Sequence, residues 1–335
     1  MISKTTLQKA SDKNIIDQDQ IEPLYQFINN EQHEASATNT EEPLKFIRSF
    51  GDVFIALGVI LLAVSINMLS LSAYEFLIPA AGFIVIAEWL VGVRRLALPG
   101  IVILVSLLFF INKALAFDGE YANTLSLSII GLSSLLFYLR YKMPFSLLPL
   151  AVSVIAMIIM QIGEDALHNP IIFSGLGFII FSIAMWFDCR DTKRISHLSD
   201  NAFWLHLLAA PLIVHGAMLP LVLNENTLSI SLNREILMIL FFTVFFITAL
   251  FVDRRAMLVS TQLYAIYALT QLFNSDLIDS QNVIIYVLMV LGMLVIFFGT
   301  YWYKTRRLLF GFLASTKLAE FVPDFETKDT RKLGS

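Results

Sequence analysis

Leu77-Ile78-Pro79-Ala80-Ala81-Gly82-Phe83-Ile84-Val85-Ile86-Ala87-Glu88-Trp89-Leu90-Val91-Gly92-Val93-Arg94-Arg95 is the stretch on which the fold turns. An apolar run of helical length ends in an aromatic residue and two arginines. The ending recurs at Phe137-Tyr138-Leu139-Arg140-Tyr141-Lys142, Trp186-Phe187-Asp188-Cys189-Arg190, Phe251-Val252-Asp253-Arg254-Arg255 and Trp302-Tyr303-Lys304-Thr305-Arg306-Arg307. Each copy follows an apolar run. Apolar runs of this length spell bilayer crossings, and aromatic and basic residues at their ends suit the headgroup layer. The unit reads as a hydrophobic hairpin closed by a basic turn. Its recurrence marks either an old internal repeat or the ordinary period of helical hairpins.

Composition agrees. Hydrophobic residues make up 57% of the 335 positions and charged residues only 15%, against about 25% charged in a soluble domain. Mean hydropathy is +0.73, and there are 28 phenylalanines. No basic stripe marks a soluble face, so nucleic acid is not an expected partner. The single cysteine, Cys189, excludes an internal disulfide. The first apolar run begins near Asp52, after a long polar stretch, so the first helix is expected to stay as an anchor rather than be cleaved.

Three domains are expected. Residues 1–44 form a polar tail, in which Asp17-Gln18-Asp19-Gln20 caps a short helix through Ile21, Leu24, Tyr25 and Ile28, with Pro23 tolerated in its first turn. A flexible linker follows through Glu31–Thr40. Residues 45–303 form an all-α transmembrane bundle. Residues 304–335 form a basic interfacial helix and a tail, with Leu308, Leu309, Phe312 and Leu313 on one face and Arg306 and Arg307 at headgroup level. Ten spans are expected, at roughly 52–71, 76–93, 99–116, 122–139, 145–162, 170–187, 201–223, 234–252, 256–273 and 283–303. Pro79, Pro99, Pro144 and Pro170 lie near helix starts, where the missing N–H has no intrahelical partner.

Orientation follows from charge. Alternate flanks carry Lys45, Arg48, Arg94, Arg95, Arg140, Lys142, Arg190, Lys193, Arg194, Arg254, Arg255, Lys304, Arg306 and Arg307. The other flanks carry only Lys113 and Arg234, with Glu75, Asp118, Glu120, Glu164, Asp165, Glu225, Asp276 and Asp279. The positive-inside rule then puts both termini in the cytosol.

Two stretches carry a family resemblance. Asn14-Ile15-Ile16-Asp17-Gln18-Asp19-Gln20-Ile21-Glu22-Pro23-Leu24, followed after a linker by Phe50-Gly51-Asp52-Val53-Phe54-Ile55-Ala56-Leu57-Gly58-Val59-Ile60-Leu61-Leu62, resembles the start of the bacterial membrane proteins grouped as domain of unknown function 2157. Those join a short cytosolic helical motif to a glycine-containing first span. Ser199-Asp200-Asn201-Ala202-Phe203-Trp204-Leu205-His206-Leu207-Leu208-Ala209-Ala210-Pro211 is similar to a stretch of proteobacterial membrane proteins of like length. The resemblance implies a bacterial inner membrane and carries no activity.

Polar groups in hydrocarbon are costly, so each needs a reason. Glu88 lies six residues before Arg94, about 9 Å inside the boundary. Its stripe of Ala81, Val85 and Gly92 suggests packing against a neighbouring helix. It reads as a proton or cation site, or as a carboxylate that is neutral, snorkels or pairs with the Arg94/Arg95 layer. His206 lies at similar depth among Ala202, Ala209 and Ala210, and Pro211 interrupts the helix beside it. It reads as a transport-site residue or as a packed histidine beside a kink. Equal depth suggests that Glu88 and His206 approach each other. His215 lies on the opposite side of the helix from His206, which rules against a shared metal. Tyr264, Tyr267 and Gln271 share a stripe with Ser260, either lining a water-filled cavity or bonding to other helices. In the longest basic loop, Asp188, Asp191, Arg194 and Asp200 can hold a cation or a phosphate, although a solvated loop with local ion pairs accounts for them too. Glu164, Asp165 and His168 form a small acidic cluster on the other side.

Walker loops, Gly-x-Ser-x-Gly, His-Glu-x-x-His and Cys-x-x-Cys are all lacking. The sequence implies no cofactor and no metal. Its partners are the lipid bilayer and proteins met through the tails. The leading expectation is an integral inner-membrane protein with a structural, sensory or partner-binding role. The alternative is a proton-coupled transporter of small solutes or ions that uses Glu88 and His206.

Overall fold

The computed structural model describes residues 7–8, 11–13, 15–27, 49–115, 117, 121–163, 169–192, 194, 196–223, 234–273, 280–313, 316 and 321–323. Its contacts divide the chain into two compact units, Met1–Leu44 with Glu326–Ser335, and Lys45–Phe325. In the first unit the Asp17 N–H donates to Gln20 Oε1 at 3.2 Å, and a 3-10 turn over Gln18–Gln20 leads into a helix through residue 27. This is the short capped helix that the sequence leads one to expect. The linker over Glu31–Thr40 and the tail beyond Pro323 lie outside the described residues.

The second unit holds ten α-helices among the described residues, one on each apolar run. They are α1 (Phe50–Asn67), α2 (Leu77–Ala87), α3 (Ala97–Ala114), α4 (Ala122–Tyr141), α5 (Leu147–Ile162), α6 (Pro170–Arg190), α7 (His197–Leu223), α8 (Arg234–Val252), α9 (Val259–Phe273) and α10 (Ser280–Phe310). Eight are long and apolar enough to cross a membrane, once α2 and α5 are taken with their flanking turns over Ala73–Val93 and Pro144–Ile162. The apolar part of α8, Ile236–Val252, falls below that length, and α9 has only 15 residues, about 22 Å of rise.

The helices pair around the basic turns rather than ending at them. α2 packs on α3, α4 on α5, α6 on α7 and α8 on α9. The four linking turns share a backbone feature. Arg95 (φ 55°), Lys142 (φ 53°), Arg194 (φ 53°) and Asp253 (φ 62°) are the positive-φ residues other than glycine among the described residues, and one lies in each turn. A left-handed residue lets a helix stop and the chain reverse within a few positions. After α8 the Asp253 N–H returns to Leu250 O and the Arg254 N–H to Ala249 O at 3.0 Å, which satisfies two carbonyls of the helix end.

In lipid, apolar burial does not by itself drive helices together, so close packing and polar pairing must do so. Four apolar centres form among the described residues, and two of them are large. Around α1–α4, Phe110 stacks with Phe76 and Phe83, beside fully buried Ile103 and Leu104. Around α7–α10, Met218, Met238, Leu250 and Trp302 are buried together. The tightest approach joins α6 and α7. A Cβ at Gly177 would stand 2.8 Å from the backbone N of Ile213, and one at Gly216 would stand 2.6 Å from the backbone N of Ser174. Only glycine lets these two backbones come so near.

Three sequence expectations change here. The stripe below Glu88 is not packed, since Val85 is 70% exposed and Ala81 and Gly92 are exposed too. α2 buries Ala80, Phe83, Ala87 and Leu90 instead. Apolar bulk rather than small size decides which face turns inward. α7 runs unbroken through Pro211 and Pro220; the missing Pro211 N–H leaves the Leu207 carbonyl without its helical donor, yet the neighbouring turns hold. Arg306, placed at headgroup level by its sequence position, is instead 2% exposed, because α10 bends at Tyr301 and the arginine finds carbonyls inside. Past α10 the described chain is a 3-10 turn over Gly311–Leu313, on which Phe312 remains exposed.

Candidate functional site

Asp188 occupies the last turn of α6 and is 3% exposed. A carboxylate there opposes both burial and the helix dipole, so it needs a counter-charge and further polar partners. Two elements supply them. Arg254, in the turn after α8, donates from Nε to Asp188 Oδ2 at 3.2 Å and from Nη2 to Asp188 Oδ1. This forked contact fixes orientation as well as charge. From α7, His206 Nε2 lies 2.9 Å from Asp188 Oδ2, with the Phe181 ring edge-on to the imidazole at 5.1 Å. His206 is fully buried. Arg254 also donates to the Ser199 carbonyl at 3.0 Å and to Ser199 Oγ at 3.2 Å. One carboxylate thereby ties α6, α7 and the α8–α9 turn together.

A second carboxylate sits beside it. Asp253 accepts from Arg194 Nη1 at 3.0 Å and from the Trp302 indole N–H at 2.6 Å. Arg194 Nη2 donates to the Asp253 carbonyl at 2.6 Å. Arg306 completes the layer: its Nε donates to Leu250 O at 3.0 Å, and its Nη2 to Phe251 O at 3.3 Å and Pro323 O at 2.7 Å. The guanidinium thus takes the Phe251 carbonyl at the end of α8 and shares the Leu250 carbonyl with the Asp253 N–H. The Cys189 thiol donates to Phe321 O at 3.5 Å, and Val322 is buried. Residues 321–323 therefore lie across the helix ends.

This cluster revises the reading of the loop after α6. Asp188 is buried against Arg254 and His206, and the partly buried Arg194 pairs with Asp253, so neither belongs to a solvated loop. Asp191 Oδ2 accepts from the Ser196 N–H at 2.8 Å and the Ser196 hydroxyl at 2.7 Å, which folds the loop back on itself. Asp200 lies partly buried in the first turn of α7.

Glu88 has other partners. It opens a π-helical turn over Glu88–Val93. Its Oε1 takes the Arg140 guanidinium, and its Oε2 accepts from the Tyr141 hydroxyl at 3.1 Å. The pair is half open, with side-chain exposures of 62% for Arg140 and 47% for Glu88. With both carboxylate oxygens so engaged, Glu88 does not pair with His206. Equal depth along two helices says nothing about position around the bundle.

On α9, the Tyr264 hydroxyl meets His215 Nδ1 at 2.6 Å. Tyr267 packs beside the α7–α10 core. The side chains of Ser260 and Gln271, and residues Glu164, Asp165 and His168, lie outside the described residues. Among the described residues no group of three or more His, Cys, Asp and Glu side chains is placed to hold a metal ion.

Sequence reasoning found Asp188, His206 and Arg194 but missed Arg254 and Asp253 as their partners, and Ser199, Trp302 and Arg306 in the layer around them. A signal was present. An Asp in the last turn of an apolar helix faces both a low-dielectric setting and an unfavourable dipole, so it calls for an arginine from a neighbouring turn. Asp253-Arg254 offered one at the same kind of helix end. No family model, no curated protein and no solved structure matches this chain.

Proposed function

We propose that the chain is a polytopic protein of the bacterial inner membrane, crossing about ten times with both termini in the cytosol, whose role is structural, sensory or partner-binding. The observation that carries this reading is the mutual pairing of charged and polar residues inside the bundle. Asp188, His206, Arg254, Asp253 and Arg194 bind one another instead of facing an open path. The charge asymmetry of the flanks supports the orientation.

The competing reading is transport through Glu88 and His206, and it requires water to reach position 206. A Cys189→Ser background with His206→Cys separates the two, when intact cells and inverted vesicles are treated with a membrane-impermeant thiol reagent. An inert position 206 beside a well-labelled cytosolic control upholds the sealed cluster. Ready labelling from either side overturns it in favour of transport. A reporter fused after Ser335 is expected on the cytosolic side, and a periplasmic signal would reverse the topology.

A further inference from the structure

His206 lies level with the basic turns, through Asp188 and Arg254. His215 follows nine residues later on the same continuous helix, about 13.5 Å deeper at the helical rise. Half the hydrocarbon thickness is about 15 Å. The mid-membrane polar pair of this chain is therefore His215 with Tyr264, and not Glu88 with His206.

The hydrogens of this pair can be counted. A neutral imidazole has one N–H and a tyrosine one O–H. Their mutual bond, 2.6 Å from His215 Nδ1 to the Tyr264 hydroxyl, uses one of the two. Whichever tautomer is present, one donor is left over. Neither residue makes another hydrogen bond among the described residues. His215 is exposed, and so is Pro211 one turn nearer the basic end. The Phe173 ring stands edge-on to the imidazole at 5.9 Å. An outward-facing donor with an aromatic wall, at a depth where water is scarce, lacks only an acceptor.

We propose that His215 and Tyr264 form a binding site for a bilayer-soluble molecule carrying a carbonyl acceptor beside a flat ring, of the quinone class. The imidazole or phenol donates to the carbonyl, and Phe173 bounds the ring. Such a ligand arrives from the lipid, so the site needs no water path, and the sealed cluster 13.5 Å away need not open. The proposal extends the sensory reading above by naming what would be sensed, and its test leaves position 206 untouched.

The test uses the full chain in phosphatidylcholine nanodiscs with a short-chain azido-benzoquinone as photoprobe. Cross-linked peptides are expected from α7 and α9, with labelling displaced by excess unlabelled short-chain quinone. Whichever of His215→Phe and Tyr264→Phe removes the donating group is expected to cut displaceable labelling about tenfold, the effect of losing one hydrogen bond to a ligand in a low-dielectric site. His215→Gln, which keeps a donor, is expected to retain labelling within a few fold. Comparable thermal midpoints show that the variants are folded. Labelling spread evenly over the helices, or insensitive to all three substitutions, overturns the proposal. His215→Cys in the Cys189→Ser background gives the other decisive outcome. If it reacts with an impermeant thiol reagent, the acceptor is water and the lipid-side ligand is excluded.

Discussion

Arg254 and Asp188 show how context sets the strength of a charge pair. Both are buried, and each is the other's principal counter-charge. Removing one partner leaves a desolvated charge behind, so Asp188→Ala is expected to destabilise the protein by about 3–5 kcal/mol. Pairing Asp188→Ala with Arg254→Met is expected to cost clearly less than the sum of the two single changes, because no uncompensated charge remains. Chemical denaturation in a fixed detergent measures all three, and additive losses would mean that the residues act separately. Glu88 and Arg140 make the same kind of bond in the open, so Glu88→Gln is expected to change stability by no more than about 1 kcal/mol. The sequence marks Glu88 as a carboxylate inside the membrane and places Asp188 in a polar loop. Only the fold shows that one is locked and the other is half solvated, since exposure depends on which helices flank each end.

Helices are the most legible part of this chain. All ten apolar runs became helices, because intrasegment hydrogen bonding is the economical way to satisfy backbone groups in an apolar setting. Their pairing was less visible. The left-handed residues that reverse the chain are Arg95, Lys142, Arg194 and Asp253, not the glycines that usually announce such turns. An L-residue there costs about 1–2 kcal/mol that glycine avoids. Lys142→Gly is accordingly expected to raise stability, by up to about 1 kcal/mol once the loss of the Lys142–Tyr138 cation–π contact is counted. A fall on denaturation would mean that the contact outweighs the backbone. Close approach gives a second expectation. Gly177→Ala and Gly216→Ala should each lower the melting point sharply by forcing α6 and α7 apart, with losses of about 2 kcal/mol or more. Gly175→Ala, with nothing within 4 Å, should be neutral or stabilising by up to about 1 kcal/mol on helix propensity. Equal effects at the three positions would remove close approach as the reason for glycine.

Taken as a whole, the second unit concentrates its ionic bonding at one end. The Asp188 and Asp253 clusters and the Glu88 pair all lie at basic turns, and Lys113, bonded to Asn67 Oδ1 at 2.6 Å, anchors α3 to α1 at the other. Charge asymmetry in the sequence anticipated which end carries the cations. It gave no warning that three of them, Arg194, Arg254 and Arg306, turn inward. A chain ending at Ala319 would lack the Pro323 carbonyl that Arg306 uses, and is expected to lose about 1 kcal/mol of stability, measured as a lower thermal midpoint. An unchanged midpoint would make the residues at 321–323 passengers.

The Arg306 contact also bears on the order of biogenesis. Its acceptors are the end of α8 and a residue seventeen positions further along the chain. During synthesis, α8 and α10 enter the membrane before Pro323 has left the ribosome, so the arginine must wait for its last acceptor. The bundle is therefore clasped only after Pro323 has emerged, later than the helices that it closes.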